Sequence, residues 1–254
     1  QKTIDAMRKA ERSGTPLKAI LPAHLYGHPG NVLPIVEEAA RLGITVIEDA
    51  SEALGGKIGR QSVGTFGRIG CFSFNGNKLI TSGGGGGMLV TTDESVARKA
   101  KHLTTQARSD AVEYTHDQIG FNYRMTNINA AFGLAQMEQI EKILSRKREI
   151  WNWYAADLAR IPGLTLMREQ PWALSSHWMI NARVDQGVFS ADRRALVRYL
   201  LDAGIQARPF FTPIPRMPPY CLNHEEFPIA ELLWNTGLNL PCSTFITGEQ
   251  VKLI

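Results

Sequence analysis

Five consecutive glycines, Gly83 to Gly87, constrain this chain more than any other feature, because of what bounds them. The strand-like run GCFSFN (residues 70 to 75) precedes them and the apolar GMLVTT (87 to 92) follows, with Lys78 in the turn between. A flexible tether would usually be flanked by polar, low-complexity sequence. A phosphate-binding P-loop needs GxxxxGK followed by Ser or Thr, opening a helix. Here the lysine precedes the glycines and Leu79 follows it, so that pattern fails. The third reading is a tight connection between two strands. Its glycines would take positive φ and let backbone approach closely, with Lys78 held in a rigid turn beside the sheet.

The segments on either side agree with a sheet. LKAILPAHL (17 to 25) reads as a buried strand, and a helix from about Val32 to Leu42 stops at Gly43. ITVIEDA (44 to 50) is a β-branched run ending in Glu48 and Asp49, as a parallel strand would. Asp93 to about His102 reads as helix. The first 105 residues are therefore an α/β pattern with a mostly parallel sheet. In such sheets functional groups collect beyond the carboxyl ends of the strands, where Asp49 and the segment after Phe74 fall. A long helix is predicted from about Thr126, as N-cap, to Ala159, with an apolar stripe of Ile128, Phe132, Met137, Ile140 and Leu144. After Gly163 the character changes. HWMINARVD (177 to 185) reads as strand and residues 190 to 204 as helix. RPFFTPIPRMPPY (208 to 220), with five of the 13 prolines, reads as an extended, ordered loop. A boundary near residue 155 divides a large domain (1–155) from a smaller C-terminal α+β domain (156–254).

Composition narrows the function classes. The 254 residues are 44% hydrophobic and 20% charged, ordinary for a globular protein. A net charge of +4, dispersed, suits an anionic small substrate and is weak support for nucleic acid. The Arg146-Lys147-Arg148 cluster reads as a solvated helix face. Cys71, Cys221 and Cys242 have no metal-ligand spacing, and their odd number argues against a disulfide framework. The six histidines form no HExxH pair, so no metal site is expected. No apolar run is long enough to span a bilayer. A reducing cytoplasm is the expected setting. The chain starts at Gln1 within a helical pattern and ends in another at Ile254, so a chain truncated at both ends is expected, with any targeting segment out of view.

A lone loop lysine is usually a solvated charge, but Lys78 has company: Asp49 ends the neighbouring core strand and Ser73 lies five residues earlier. An amine, a carboxylate and a hydroxyl donor are the groups a pyridoxal 5'-phosphate (PLP) site requires. The cofactor's aldehyde needs an amine, its ring nitrogen a carboxylate to stay protonated, and its phosphate donors.

Several segments, in order, resemble one family. AHLYGHPGN (23 to 31), EDASEALGG (48 to 56), VGTFGRIGCFSFNGNK (63 to 78), GGGGMLVT (84 to 91) and GFNYRMTNINAA (120 to 131) look like the DegT/DnrJ family of PLP-dependent sugar aminotransferases. The FNGNK segment with its glycine run is similar to the branch that aminates 4-keto nucleotide sugars, of the bacillosamine, legionaminic acid and perosamine type. The resemblance implies a PLP-dependent transferase of fold type I, a homodimer with PLP between subunits. It implies Lys78 as the lysine that bonds the cofactor, Asp49 at its ring nitrogen and Ser73 at its phosphate. Asn122 would reach the phosphate bound by the other subunit. Glu52 stands where many members have glutamine near the ring hydroxyl. A carboxylate there cannot donate, so Glu52 or the cofactor oxygen must hold a shared proton. His24 and Arg124 are candidates for the substrate side, and Glu48 for a salt bridge at the sheet edge. The implied substrates are a keto nucleotide sugar and an amino-acid donor, glutamate. Two alternatives stand beside this one: a sugar dehydratase of the same family, whose members replace the lysine with histidine, and a non-catalytic sensor or regulator of this fold.

Overall fold

The computed structural model describes residues 1–110, 112–220 and 227–254; Cys221 lies outside them. Up to the glycine-run region the elements are α1 (Lys2–Arg12), β1 (Ala19–Ile20), α2 (Leu33–Arg41), β2 (Thr45–Asp49), β3 (Lys57–Ile58), β4 (Gln61–Ser62), β5 (Ile69–Ser73) and β6 (Gly87–Val90). They continue with α3 (Glu94–Thr104), α4 (Asn127–Met137), α5 (Ile140–Leu158), β7 (Leu164–Leu166), β8 (Ala173–Leu174), β9 (Ile180–Val184), α6 (Arg193–Asp202), β10 (Arg208–Pro209), α7 (Pro228–Thr236), β11 (Gly237–Leu240) and α8 (Gly248–Leu253). Packing sorts them into two compact units, Gln1–Glu141 with Pro171–Ser176, and Lys142–Gln170 with His177–Ile254.

In the first unit a four-stranded sheet runs β1-β2-β5-β6, parallel except for the last pair. The α/β expectation with a mostly parallel sheet therefore holds. Met7, Ala39, Ile44 and Val46 form one core cluster, and Val32, Ala50, Ala53, Ile58 and Val63 another. A second, antiparallel sheet of three short strands, β4-β3-β8, was not legible in the sequence. The strand expected over residues 17 to 25 is confined to Ala19–Ile20, with one further bridge from Ala23 to Asp49. Pro22 sits between them; it has no N–H to give to a ladder, although its carbonyl still accepts from the Asp49 N–H at 2.9 Å.

The single long helix expected from Thr126 is instead two. Thr126 caps α4 as predicted, its hydroxyl accepting from the Asn129 N–H. The helix then closes without proline or glycine: the Gln139 N–H bonds back only three residues, to the Gln136 carbonyl at 3.1 Å, a tightened last turn. No α4 residue is buried, and Ile128 (84% exposed), Phe132 and Met137 form an open apolar face rather than a core stripe.

The second unit is α+β, as expected. Its antiparallel sheet runs β10-β11-β9-β7. Ile150 and Tyr154 of α5, Val197 and Leu200 of α6, and Val251 of α8 pack with Ile180, Val184 and Leu238 of the sheet. Tyr154 is buried with its hydroxyl donating to the Pro241 carbonyl at 2.8 Å, and burial pushes that phenol well above its ordinary range.

Candidate active site

Strand register brings the predicted groups to one edge of the first sheet. On β2 and β5, Asp49 pairs with Cys71. Paired residues and their i+2 neighbours share a face, so Asp49 and Ser73 stand on the same face at the carboxyl ends of adjacent parallel strands. The thiol between them responds to this: burial, and then the Asp49 charge, push Cys71 above its usual range. Asp49 is exposed, and one carboxylate oxygen accepts the Ser51 N–H at 3.0 Å. The Ser73 hydroxyl oxygen accepts the Asn75 N–H at 3.3 Å, which leaves its own proton to be donated elsewhere.

Lys78 follows in a turn closed by its N–H on the Asn75 carbonyl at 3.0 Å. Its side chain is mostly covered, and its Nζ lies 3.4 Å from Glu52 Oε1. The other Glu52 oxygen accepts the Tyr26 N–H at 3.0 Å. Tyr26 has φ 57, a left-handed conformation that costs a residue with a Cβ about 1–2 kcal/mol. Here it aims the amide at Glu52. No residue type in the sequence marks this amide.

The glycine run folds over the lysine turn as an anchored connection. Ser82, fully buried, donates its N–H to the Phe74 carbonyl at 2.9 Å, and the Phe74 N–H reaches the Gly86 carbonyl at 2.9 Å. Asn75 and Gly84 form a bridge. Helix α4 holds the run from outside: Asn129 Nδ2 donates to the Ser82 carbonyl at 2.5 Å, and Gln136 Oε1 accepts the Thr81 N–H at 3.1 Å. Gly83, Gly84 and Gly86 have φ of 87°, 117° and 130°. Two of the anchors were missed in the sequence: Asn129, although it lies within the segment 120 to 131, and Gln136, which lies in no motif.

The remaining predicted residues fall elsewhere. His24 is buried and both ring nitrogens are spent within the protein, Nε2 with Glu48 at 3.0 Å and Nδ1 with the Gly30 N–H at 3.0 Å; it offers no free polar atom to a substrate. Glu48 is not an edge residue: it lies in β2, an interior strand of the sheet, and is fully buried. Asn122 and Arg124 line a cleft of about 1090 Å³ whose walls also include Lys101 and Arg108, and do not include Lys78, Asp49 or Ser73. Among the described residues no cluster of His, Cys, Asp and Glu could hold a metal ion, and no helix is long and apolar enough to cross a membrane.

An amine, an outward carboxylate and a hydroxyl with an uncommitted proton share one sheet edge, and this donor set fits PLP. Comparison with known proteins agrees with that chemistry. The chain is 42% identical over 237 residues to GDP-perosamine synthase of Escherichia coli O157:H7, covering 93% of this chain and 64% of that protein. It is 38% identical over 250 residues to EpsN of Bacillus subtilis (strain 168), provisionally named a pyridoxal phosphate-dependent aminotransferase, covering 96% of this chain and 63% of that one. Among solved structures, the aminotransferase TlmJ from Streptoalloteichus hindustanus superposes with a TM-score of 0.86 at 26% identity, over 96% of this chain and 65% of that one. The chain thus spans a little under two thirds of the length of these relatives. The family pattern matches residues 3–254, and the chain belongs to the DegT/DnrJ/EryC1/StrS aminotransferase family.

Proposed function

We propose that the protein is a PLP-dependent aminotransferase that moves an amino group from glutamate to a keto nucleotide sugar, at C4 of an NDP-4-keto-6-deoxyhexose. The observation that carries this reading is Lys78 Nζ held against Glu52, three residues past Asp49, with Asp49 and Ser73 on one face at the carboxyl ends of β2 and β5. The 42% identity to a GDP-perosamine synthase supports the sugar class.

Bound at this edge, PLP supplies an electron sink that lets an amino group leave one carbon and join another. Lys78 would hold the cofactor through its aldehyde, and its amine would serve as the base that removes and returns a proton at the substrate's amine-bearing carbon. The Asp49 carboxylate would hold a proton on the ring nitrogen, and the Ser73 hydroxyl would donate to the phosphate. Glu52, whose one oxygen accepts the Tyr26 N–H, would share a proton with the ring hydroxyl through the other, the oxygen that faces Lys78.

Asn122, and Arg124 beside it, act on the site of a second copy of the chain. Two features support this: they line a cleft without Lys78, and the exposed apolar residues Ile119, Ile128, Phe132 and Leu134 give a face that a second copy would bury. The reading is tested by incubating the PLP-loaded enzyme with nitrogen-labelled glutamate and a panel of keto nucleotide sugars, then locating the label by NMR. Label at C4 of a 6-deoxyhexose is the expected product. Label at C3 would move the specificity, and sugar that stays unlabelled throughout would overturn the activity.

A further inference from the structure

Directly beneath the exposed edge lies a buried carboxylate–imidazole pair with no part in the proposed chemistry. Strand alternation turns Asp49 outward and Glu48 inward. Both side chains of the Glu48–His24 pair are fully buried. One Glu48 oxygen accepts the N–H groups of Phe66 and Gly67 at 2.6 and 2.7 Å. The other accepts the Gly64 N–H at 2.8 Å and His24 Nε2 at 3.0 Å. Because Nδ1 of His24 accepts from the Gly30 N–H, the ring proton of the neutral imidazole must sit on Nε2, facing the carboxylate. Burial pushes the Glu48 carboxyl up, but the bonds from His24, Gly67, Gly64 and Phe66 outweigh it and hold the group below its usual range.

The two segments tied to this carboxylate border the site. From His24 the chain runs to Tyr26, whose N–H holds Glu52, which in turn faces Lys78. The His24 N–H also fixes the Asp49 carbonyl at 3.0 Å. In the other segment, residues 64 to 67, Gly64 lies against Gly70 of β5 and Gly67 against Val46 of β2. A Cβ on Gly70 would meet the Gly64 carbonyl oxygen at 1.9 Å, so the loop has no room to shift toward the strand that ends in Ser73.

We propose that Glu48 is a positioning residue for this site: through His24 it sets the Tyr26 amide, and so the Glu52–Lys78 pair, and through residues 64 to 67 it braces the strand that carries Ser73. The proposal rests on the aminotransferase reading for its consequence in turnover, but not for its structural content. Four donors meet a carboxylate's four acceptor positions. An amide of the same shape would aim its NH₂ at two of those donors, and the backbone N–H groups cannot reverse. His24 cannot reverse either without setting an Nδ1 proton against the Gly30 N–H.

The test is hydrogen exchange of the cofactor-free protein, paired with kcat and KM of the holoenzyme, for Glu48→Gln, Glu48→Asp and His24→Gln. Ile58→Val, a core change in the same unit, serves as the stability control. Glu48→Gln is expected to speed exchange roughly tenfold or more both at residues 64 to 67 and at Tyr26, which Glu48 does not touch. It should lower kcat with KM for the sugar little changed, and Glu48→Asp, which keeps the charge, should recover part of both. His24→Gln should speed exchange at Tyr26 while sparing 64 to 67; it decides the matter if Glu48→Gln does not fold. The control should change neither. Tyr26 protection unchanged in both Glu48→Gln and His24→Gln would overturn the proposal and leave Glu48 a local anchor. If Tyr26 loosens as expected but the parent enzyme aminates no sugar, the positioning stands and the functional reading fails.

Discussion

Alanine substituted in turn at each of the five glycines should give a sharply uneven series, because the glycines of the run occupy different environments. A Cβ on Gly86 would lie 2.4 Å from Ser82 Oγ, at a φ of 130° that side chains rarely adopt. Backbone strain there costs roughly 1–3 kcal/mol. Displacing the buried Ser82 hydroxyl from the Gly85 and Phe74 carbonyls costs about 1–3 kcal/mol more. Gly87→Ala should be comparably damaging, since its Cβ would meet the Phe72 carbonyl oxygen at 2.5 Å within the β5–β6 pair. Gly83 and Gly84 carry only the φ strain, about 1–3 kcal/mol each, with no neighbour closer than 3.5 Å. Gly85 has no positive φ and nothing within 4 Å, so Gly85→Ala should fall within about 0.5 kcal/mol of the parent. Urea unfolding followed by circular dichroism, with one slope across the series, gives each difference. Turnover should follow the same order, because an error of about 1 Å in the lysine's placement lowers rate ~10²-fold. A flat series, or Gly85→Ala as harmful as Gly86→Ala, would make the run a tether.

Asp49→Asn should keep PLP bound but cut turnover by on the order of 10²-fold or more, since the ring nitrogen loses its proton partner; near-parental kcat removes Asp49 from that role. Lys78→Ala mixed with Asn122→Ala, each inactive alone, should regain partial activity in mixed dimers, and no recovery would put Asn122 in its own subunit's site. Arg41, then Arg8, hold the Glu38 carboxyl down to about 2 against an ordinary 4.5. A depressed carboxyl stabilises the fold above its unfolded value and loses that contribution as pH falls through the folded one. The stability gap between parent and Glu38→Gln should therefore be full near neutrality and close between about pH 4.5 and 2; a gap independent of pH would show that the ion pair contributes nothing.

The sheet, its lysine turn and the outward carboxylate were legible because each rests on a local signal: a β-branched run ending in acids, glycines between apolar strands, a hydroxyl one turn before the lysine. The bracing around them was not. Glu48 and His24 read as edge and substrate residues because only the strand register and the Gly30 amide reveal that both face inward. Tyr26 serves through its backbone N–H, which side-chain chemistry does not announce. Helix α4 had a convincing apolar stripe, but the stripe faces outward, and periodicity alone cannot say which surface an apolar face covers. The break at Gln139 has no proline or glycine to mark it.

Everything proposed for this site turns on Lys78 as the amine that bonds the cofactor. Reduction of the PLP-loaded protein with borohydride, followed by proteolysis and mass spectrometry, fixes any lysine–cofactor bond in place and reads its position. The phosphopyridoxyl mass is expected on Lys78, and is expected to be absent from the corresponding peptide of Lys78→Ala. The mass on another lysine, or on none in protein that holds PLP, would contradict this assignment.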